Sequence, residues 1–208
     1  MNVFLMTNRV PHMTSFSYSP YVVQVRNTVI GSDVPLFKGT FDYTHILWVD
    51  SDIEYSVYDF VKLLEHDKDI VGASYMMGKG EYSVCTNFEE GGFMMSGEEF
   101  EAHDKLFEVA WNGFGFMLIK KGVFEKLGRP WFMPRTDSIG RYLGEDVSFC
   151  VTAREHGYKI WCDPNISLTH HKLQPLHKGP RQQDIKVTEF KKRKKEEADA
   201  RKLTSFTD

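Results

Sequence analysis

The chain has 208 residues, of which 41% are hydrophobic, 14% aromatic and 26% charged, with a net charge of −3. That composition excludes a disordered chain and suits one α/β domain, with or without a tail, and the balance of charge gives no signal for nucleic acid. No apolar run approaches a membrane span, the N-terminal MNVFLMTNRVPHM is too short and too polar beyond Met6 for a signal peptide, and three cysteines (Cys85, Cys150, Cys162) without metal-ligand spacing read as reduced thiols in a cytoplasmic setting.

Val3 to Thr7 reads as a buried strand, and residues 8 to 20 as a Ser-, Thr-, Asn- and Pro-rich loop. Tyr21 to Ile30 fits a helix, with Val22, Val23 and Val25 making a strand competitive. Ile46 to Val49 has strand character and stops at an acidic turn. Ser56 to His66 places Val57, Phe60, Val61 and Leu64 on one helix face, with Ser56 as N-cap. Asp69 to Ser74 is a further strand. Alternating strands and helices predict an α/β chain with a mostly parallel central sheet flanked by helices.

Tyr82 to Thr86, Leu106 to Ala110 and Phe114 to Ile119 read as strands, and residues 87 to 104 as a mobile surface excursion. Val123 to Leu127 is a short helix ended by Gly128, and residues 129 to 143 form a loop. Gly144 to His156 is a helix stopped by Gly157, and Lys159 to Cys162 a strand broken by Asp163-Pro164. Residues 1–178 are expected as one domain and 179–208 as a charged helical tail or linker. The tail suits solvent, or peripheral contact with an anionic membrane surface.

The motif that raises a functional question is Asp50-Ser51-Asp52, at the end of an apolar strand. Strand ends form the carboxyl edge of a sheet, where α/β folds bind ligands. Two carboxylates at i and i+2 repel unless a cation neutralises them. Mg²⁺ and Mn²⁺ take oxygen ligands and are often shared with a substrate diphosphate. The competing reading is an acidic turn that caps the next helix.

Two downstream runs shift the balance: NGFGFMLIKKGVFEKLG (112–128) and LGEDVSFCVTAREHGYKIWCDPNISLTHH (143–171). With the DSD they resemble, in order and spacing over roughly residues 1 to 175, the GT-A family of nucleotide-sugar-dependent glycosyltransferases, of the compact, family-2-like kind. The resemblance implies a Rossmann-like GT-A fold with a mixed, mostly parallel central sheet, a nucleoside-diphosphate sugar donor, most simply UDP-linked, and a glycan or glycoconjugate acceptor. It implies Mn²⁺, or Mg²⁺, held by Asp52 with Asp50, and Asp50 also near the ribose with Ser51 beside it. The resemblance further implies His170 as the residue that completes the metal shell, with His171 as alternative and His177 as third choice. Asp146 is the expected general base of an inverting transfer and Glu145 an acceptor partner, Gly144 letting the backbone approach the substrate. Thr7, Asn8 and Arg9 lie where the family places the nucleoside, and Arg26 is a further donor contact. Trp111, Phe114 and Gly115 are expected beside the acceptor, with core packing as the competing reading.

The chain is short for the family and lacks a long Gly-rich nucleotide loop. It fits a compact enzyme, as in some phage and large DNA viruses, or one domain of a longer transferase. A retaining outcome stays open, since histidine metal ligands also occur in retaining members. A nucleotidyltransferase would carry a Gly-rich basic phosphate loop near the N-terminus, which is lacking. A non-catalytic carbohydrate-binding module would need neither acid pair.

Overall fold

A computed structural model describes residues 12, 14–31, 43–87, 94–172 and 192. The chain divides into two compact units, Met1–His171 and Lys172–Asp208. Of the second, only Lys172 and Lys192 are among the described residues. The expected first strand (Val3 to Thr7), the nucleoside residues Thr7, Asn8 and Arg9, His177 and nearly all of the charged tail lie outside them.

Among the described residues, the central sheet has five strands in the order β1-β9-β3-β10-β7. These are β1 (His45–Val49), β9 (Phe116–Lys120), β3 (Ile70–Gly72), β10 (Ile160–Cys162) and β7 (Phe107–Val109). Only β3 and β10 pair in parallel; β9 runs antiparallel between β1 and β3, and β7 antiparallel on β10. The sheet is mixed, as expected, with fewer parallel pairs over these strands than helix–strand alternation alone predicts. The difference comes from Phe116–Lys120, which inserts in the middle of the sheet rather than extending an edge.

Side chains alternate across this sheet, as strand geometry requires. Ile46, Trp48, Ile70, Met117, Ile119, Ile160 and Cys162 face one core cluster. Leu47, Val49, Val71, Phe116, Leu118 and Trp161 face the other. The first face is covered by Val29 and Ile30 of α1 (Val22–Gly31), by Val123 and Phe124 of α4 (Val123–Leu127), and by Phe149, Cys150 and Ala153 of α5 (Glu145–Glu155). The second is covered by Phe60, Leu63 and Leu64 of α2 (Val57–Glu65). The outcome is three layers, a mixed sheet flanked by helices.

Several boundaries follow local chemistry. Ser56 caps α2 in a reciprocal box with Asp59, whose carboxylate accepts from Ser56 N at 2.7 Å. The valine-rich 22–31 segment is helical because its tertiary contacts outweigh β-propensity: Arg26 and Ile30 are buried, and Asn27 Oδ1 accepts from the Trp131 and Phe132 amides at 3.0 and 3.2 Å. The expected surface excursion contains β6 (Met95–Ser96) and α3 (Gly97–Glu101), with a second capping box, between Ser96 and Glu99, and Phe100 buried. The expected strand Tyr82 to Thr86 is broken into β4 (Glu81–Tyr82) and β5 (Val84–Cys85) at Ser83, whose carbonyl accepts from Gly113 N at 2.7 Å. β5 pairs with β8 (Trp111–Asn112), and β2 (Ile53–Glu54) with β11 (Thr169–His170). No helix among the described residues is long and apolar enough to cross a membrane.

Candidate active site

The acidic turn is built by the backbone at the end of β1. Asp50 N donates to Gly115 O at 3.0 Å, and Ile53 N donates to Asp50 O at 3.1 Å. This turn sends the two carboxylates to different partners. Both oxygens of Asp50 lie within 3.2 and 3.0 Å of one Arg26 nitrogen, and its Oδ1 also accepts from Trp48 Nε1 at 3.1 Å. Asp52 Oδ2 lies 3.1 Å from His170 Nε2. Ser51 is exposed at the tip of the turn.

The β2–β11 ribbon explains how a histidine so distant in sequence reaches Asp52. His170 pairs with Ile53, and His171 N donates to Asp52 O at 2.8 Å. The His170 side chain is 7% exposed, its ring packed edge-on against Tyr75 with centroids 4.7 Å apart. Its Nδ1 faces the Met76 carbonyl at 3.1 Å. A carbonyl only accepts, so Nδ1 carries a proton. Nε2 faces Asp52, and in this tautomer its lone pair is the one open to a cation. His171, one residue on, points to the exposed Glu54, at 2.8 Å. Strand alternation separates the two histidines, and only His170 belongs to the Asp52 site.

Asp52 and His170 fit a Mn²⁺ or Mg²⁺ ion in donor chemistry: a carboxylate oxygen faces an imidazole nitrogen whose other nitrogen is fixed by a carbonyl. A cation held by two such groups would keep room for water and substrate oxygens. No group of three His, Cys, Asp or Glu side chains at metal-ligand spacing occurs among the described residues. Asp50, expected in the same shell, is instead held by a guanidinium and an indole, with which a metal would compete for the same oxygens.

The second acid pair opens α5. Glu145 Oε1 lies 3.3 Å from Arg26 Nη1. Asp146 Oδ1 accepts from Val147 N at 2.7 Å. A Cβ on Gly144 would fall 2.7 Å from that same oxygen. The glycine expected to admit substrate thus makes room for the Asp146 carboxylate itself. Burial raises the Asp146 pKa above the ordinary aspartate value, and the Glu145 charge adds to the rise; the Val147 amide and Arg26 oppose it.

Tyr75 has no place in the sequence reading, yet it lies beside these groups. It is buried, and burial together with the Asp50 and Asp146 charges pushes its hydroxyl up to about 12, against a hydrogen bond with Ser83. The GFGF run now has a physical reason. A Cβ at Gly113 would meet the Tyr75 hydroxyl at 2.6 Å, and one at Gly115 would meet its ring at 2.4 Å. The glycines face Tyr75, while Phe114 and Phe116 are fully buried in the two cores. The alternation of empty and aromatic positions was the available signal, but it does not name the ring that fills the space.

The structure sets the residues expected at the acceptor and donor among protein partners. Phe114 is 0% exposed and Trp111 6%, both in the core, so neither offers a free face to an acceptor sugar. Gly115 serves Tyr75. Arg26, expected as a donor contact, is 4% exposed. Its guanidinium carbon lies 5.1 to 5.9 Å from the ring centres of Phe114, Trp48 and Phe132, and its side chain meets both Asp50 and Glu145.

No family model matches the chain, and no curated protein matches it. Among solved structures, A197 from STIV is similar with a TM-score of 0.56 and 22% identity, over 86% of this chain and 88% of that one. GalNAc-T7, solved with UDP, GalNAc and Mn²⁺, gives a TM-score of 0.49 and 12% identity, over 86% of this chain and 35% of that one. The likeness to A197 shows the fold alone. The mixed sheet flanked by helices is consistent with the GT-A fold expected from the sequence.

Proposed function

We propose that this chain is a metal-dependent glycosyltransferase that moves a sugar from a nucleoside diphosphate to a hydroxyl of a glycan or glycoconjugate. The observation that carries this reading is the chain of contacts His170–Asp52, then Asp50–Arg26–Glu145, which joins a carboxylate–imidazole pair to a half-buried carboxylate, Asp146, through one short turn and one guanidinium. A structural acidic turn needs neither the buried histidine nor the second acid pair.

In this reading Asp52 and His170 hold the cation. When bound, Mn²⁺ or Mg²⁺ supplies positive charge to the diphosphate as it departs. Asp146 accepts the proton of the acceptor hydroxyl. That oxygen forms the new bond to C1 as the C1–O bond to the diphosphate breaks, and the nucleoside diphosphate leaves with the electron pair. Configuration inverts and no covalent intermediate forms. A raised pKa suits a carboxylate to this task, provided the pH keeps it ionised. The acceptor side is assigned to the loop 129–143 ahead of Glu145, where Met133, Ile139 and Tyr142 are exposed. Uridine is the first nucleoside to try.

The test is release of nucleoside diphosphate from a panel of nucleotide-sugars with Mn²⁺ and with EDTA. The expected result is metal-dependent turnover of one donor, abolished in Asp146→Asn when acceptor is present. Turnover by Asp146→Asn at the wild-type rate would remove the base from this account.

A further inference from the structure

We propose that Arg26 is a positioning residue that couples the two acidic segments, so that disturbance of the turn at Asp50 is transmitted to the helix start that bears Glu145 and Asp146. Its rate readout rests on the glycosyltransferase reading; its geometry does not. Arg26 belongs to neither segment. It sits on α1, and its nitrogens are divided: Nη2 meets both oxygens of Asp50 at 3.2 and 3.0 Å, and Nη1 approaches Glu145 Oε1 at 3.3 Å. The Glu145 contact is an ion pair without hydrogen-bond geometry, and Nε has no hydrogen-bond partner among the described residues. The cation is nonetheless held, because Trp48, Phe114 and Phe132 surround it and its side chain is 5% exposed.

That arrangement is a poor choice for stability alone. A buried cation with incomplete hydrogen bonding loses solvation that two carboxylates only partly restore, and an apolar side chain would fill an aromatic cage more simply. Charge division between two segments is what a guanidinium does and an apolar filler cannot. Its planar fork can engage two carboxylates in different directions, whereas a lysine ammonium presents one compact charge. The next residue on α1 acts alike: Asn27 holds the Trp131 and Phe132 amides, at the start of the loop that leads to α5. Helix α1 is thus tied to the turn after β1, to the 131–132 loop and to the start of α5.

The test is a double-mutant cycle on Asp50→Asn and Glu145→Gln, with Arg26→Lys as a third variant. If the acids act through one guanidinium, each single change lowers kcat by about 10²-fold, as a misplacement on the order of 1 Å does. The double variant then falls by about 10² rather than 10⁴, because the second change disturbs what the first has already released. Arg26→Lys keeps its melting temperature near wild type and loses kcat more than donor KM. Multiplicative losses in the double variant, or wild-type kcat in Arg26→Lys, would overturn the proposal. If the wild type transfers no sugar at all, the glycosyltransferase reading fails by itself, and the same cycle is read by equilibrium denaturation. There the double variant loses more stability than the sum of the singles, since it leaves the buried guanidinium alone. Strict additivity would overturn the coupling.

Discussion

The two acid pairs of this chain look alike in sequence and differ in the fold by the same division of labour. In Asp50-Ser51-Asp52 the first acid goes to Arg26 and the second faces His170. In Glu145-Asp146 the first acid again goes to Arg26, and the second is half-buried, with its pKa raised by burial. The pairs diverge in what surrounds the second acid. Asp52 lies opposite an imidazole and its side chain is 44% exposed, which suits a ligand for a hydrated cation. Asp146 accepts from a backbone amide and has no histidine partner among the described residues, which suits proton transfer. Adjacent carboxylates are thus told apart by their partners and not by their spacing.

That contrast can be broken most sharply at Asp146. Asp146→Asn is expected to lower acceptor-dependent turnover by about 10³-fold, within the range for loss of a general base, while nucleotide binding survives. The pH profile carries the same information. Activity requires the ionised form, so kcat/KM falls on acidification at a pH above the ordinary aspartate pKa. For stability the sign is opposite to that of a salt-bridged acid. With its folded pKa raised, Asp146 contributes stability below its unfolded pKa, and this is lost as pH rises through the folded value. Asp146→Asn should remove that loss, seen as a flatter dependence of melting temperature on pH.

A second comparison separates the neighbouring histidines. His170→Ala should weaken Mn²⁺-dependent nucleotide binding by at least about 10²-fold, measured by titration of metal at fixed nucleotide. His171→Ala should leave it near wild type, because its partner is the exposed Glu54. Equal losses from both would erase the distinction drawn from the ribbon. Smaller in effect is Gly115→Ala, whose Cβ would lie 2.4 Å from the Tyr75 ring. It should cost about 1–3 kcal/mol in denaturant titration, as overpacking does. The smallest change expected is Ser96→Ala, about 1 kcal/mol for loss of a cap in α3, away from both acid pairs and without effect on nucleotide binding.

Local signals made much of this legible. The apolar run 46–49, the capped helix from Ser56 and the helix between Gly144 and Gly157 appear where their periodicity and end residues put them. The helix at 97–101 was also signalled, by Ser96 and Glu99 at capping-box spacing, but the surrounding glycines and acids obscured it. Strand direction was not legible, because Phe116–Lys120 has the same apolar pattern in either orientation. At the site, residue chemistry drew attention to the Asp50-Ser51-Asp52 turn, and the family resemblance added Glu145, Asp146 and His170. Neither could show that Asp50 and Glu145 share Arg26, or that Tyr75 fills the space beside Gly113 and Gly115. Those are contacts between distant segments, and nothing in local spacing encodes them.

The central claim is that Asp52 and His170 form a cation site for a nucleoside diphosphate. Its most direct test is the melting temperature of wild type and Asp52→Ala with UDP, GDP, CDP and dTDP, each with Mn²⁺ and with EDTA. A ligand that binds only the native state raises stability by mass action, by about 2.7 kcal/mol at a hundred times its Kd. The account predicts a Mn²⁺-dependent rise with one nucleotide in the wild type, absent in EDTA and in Asp52→Ala. A rise that survives both EDTA and Asp52→Ala, or no rise with any nucleotide, would contradict it.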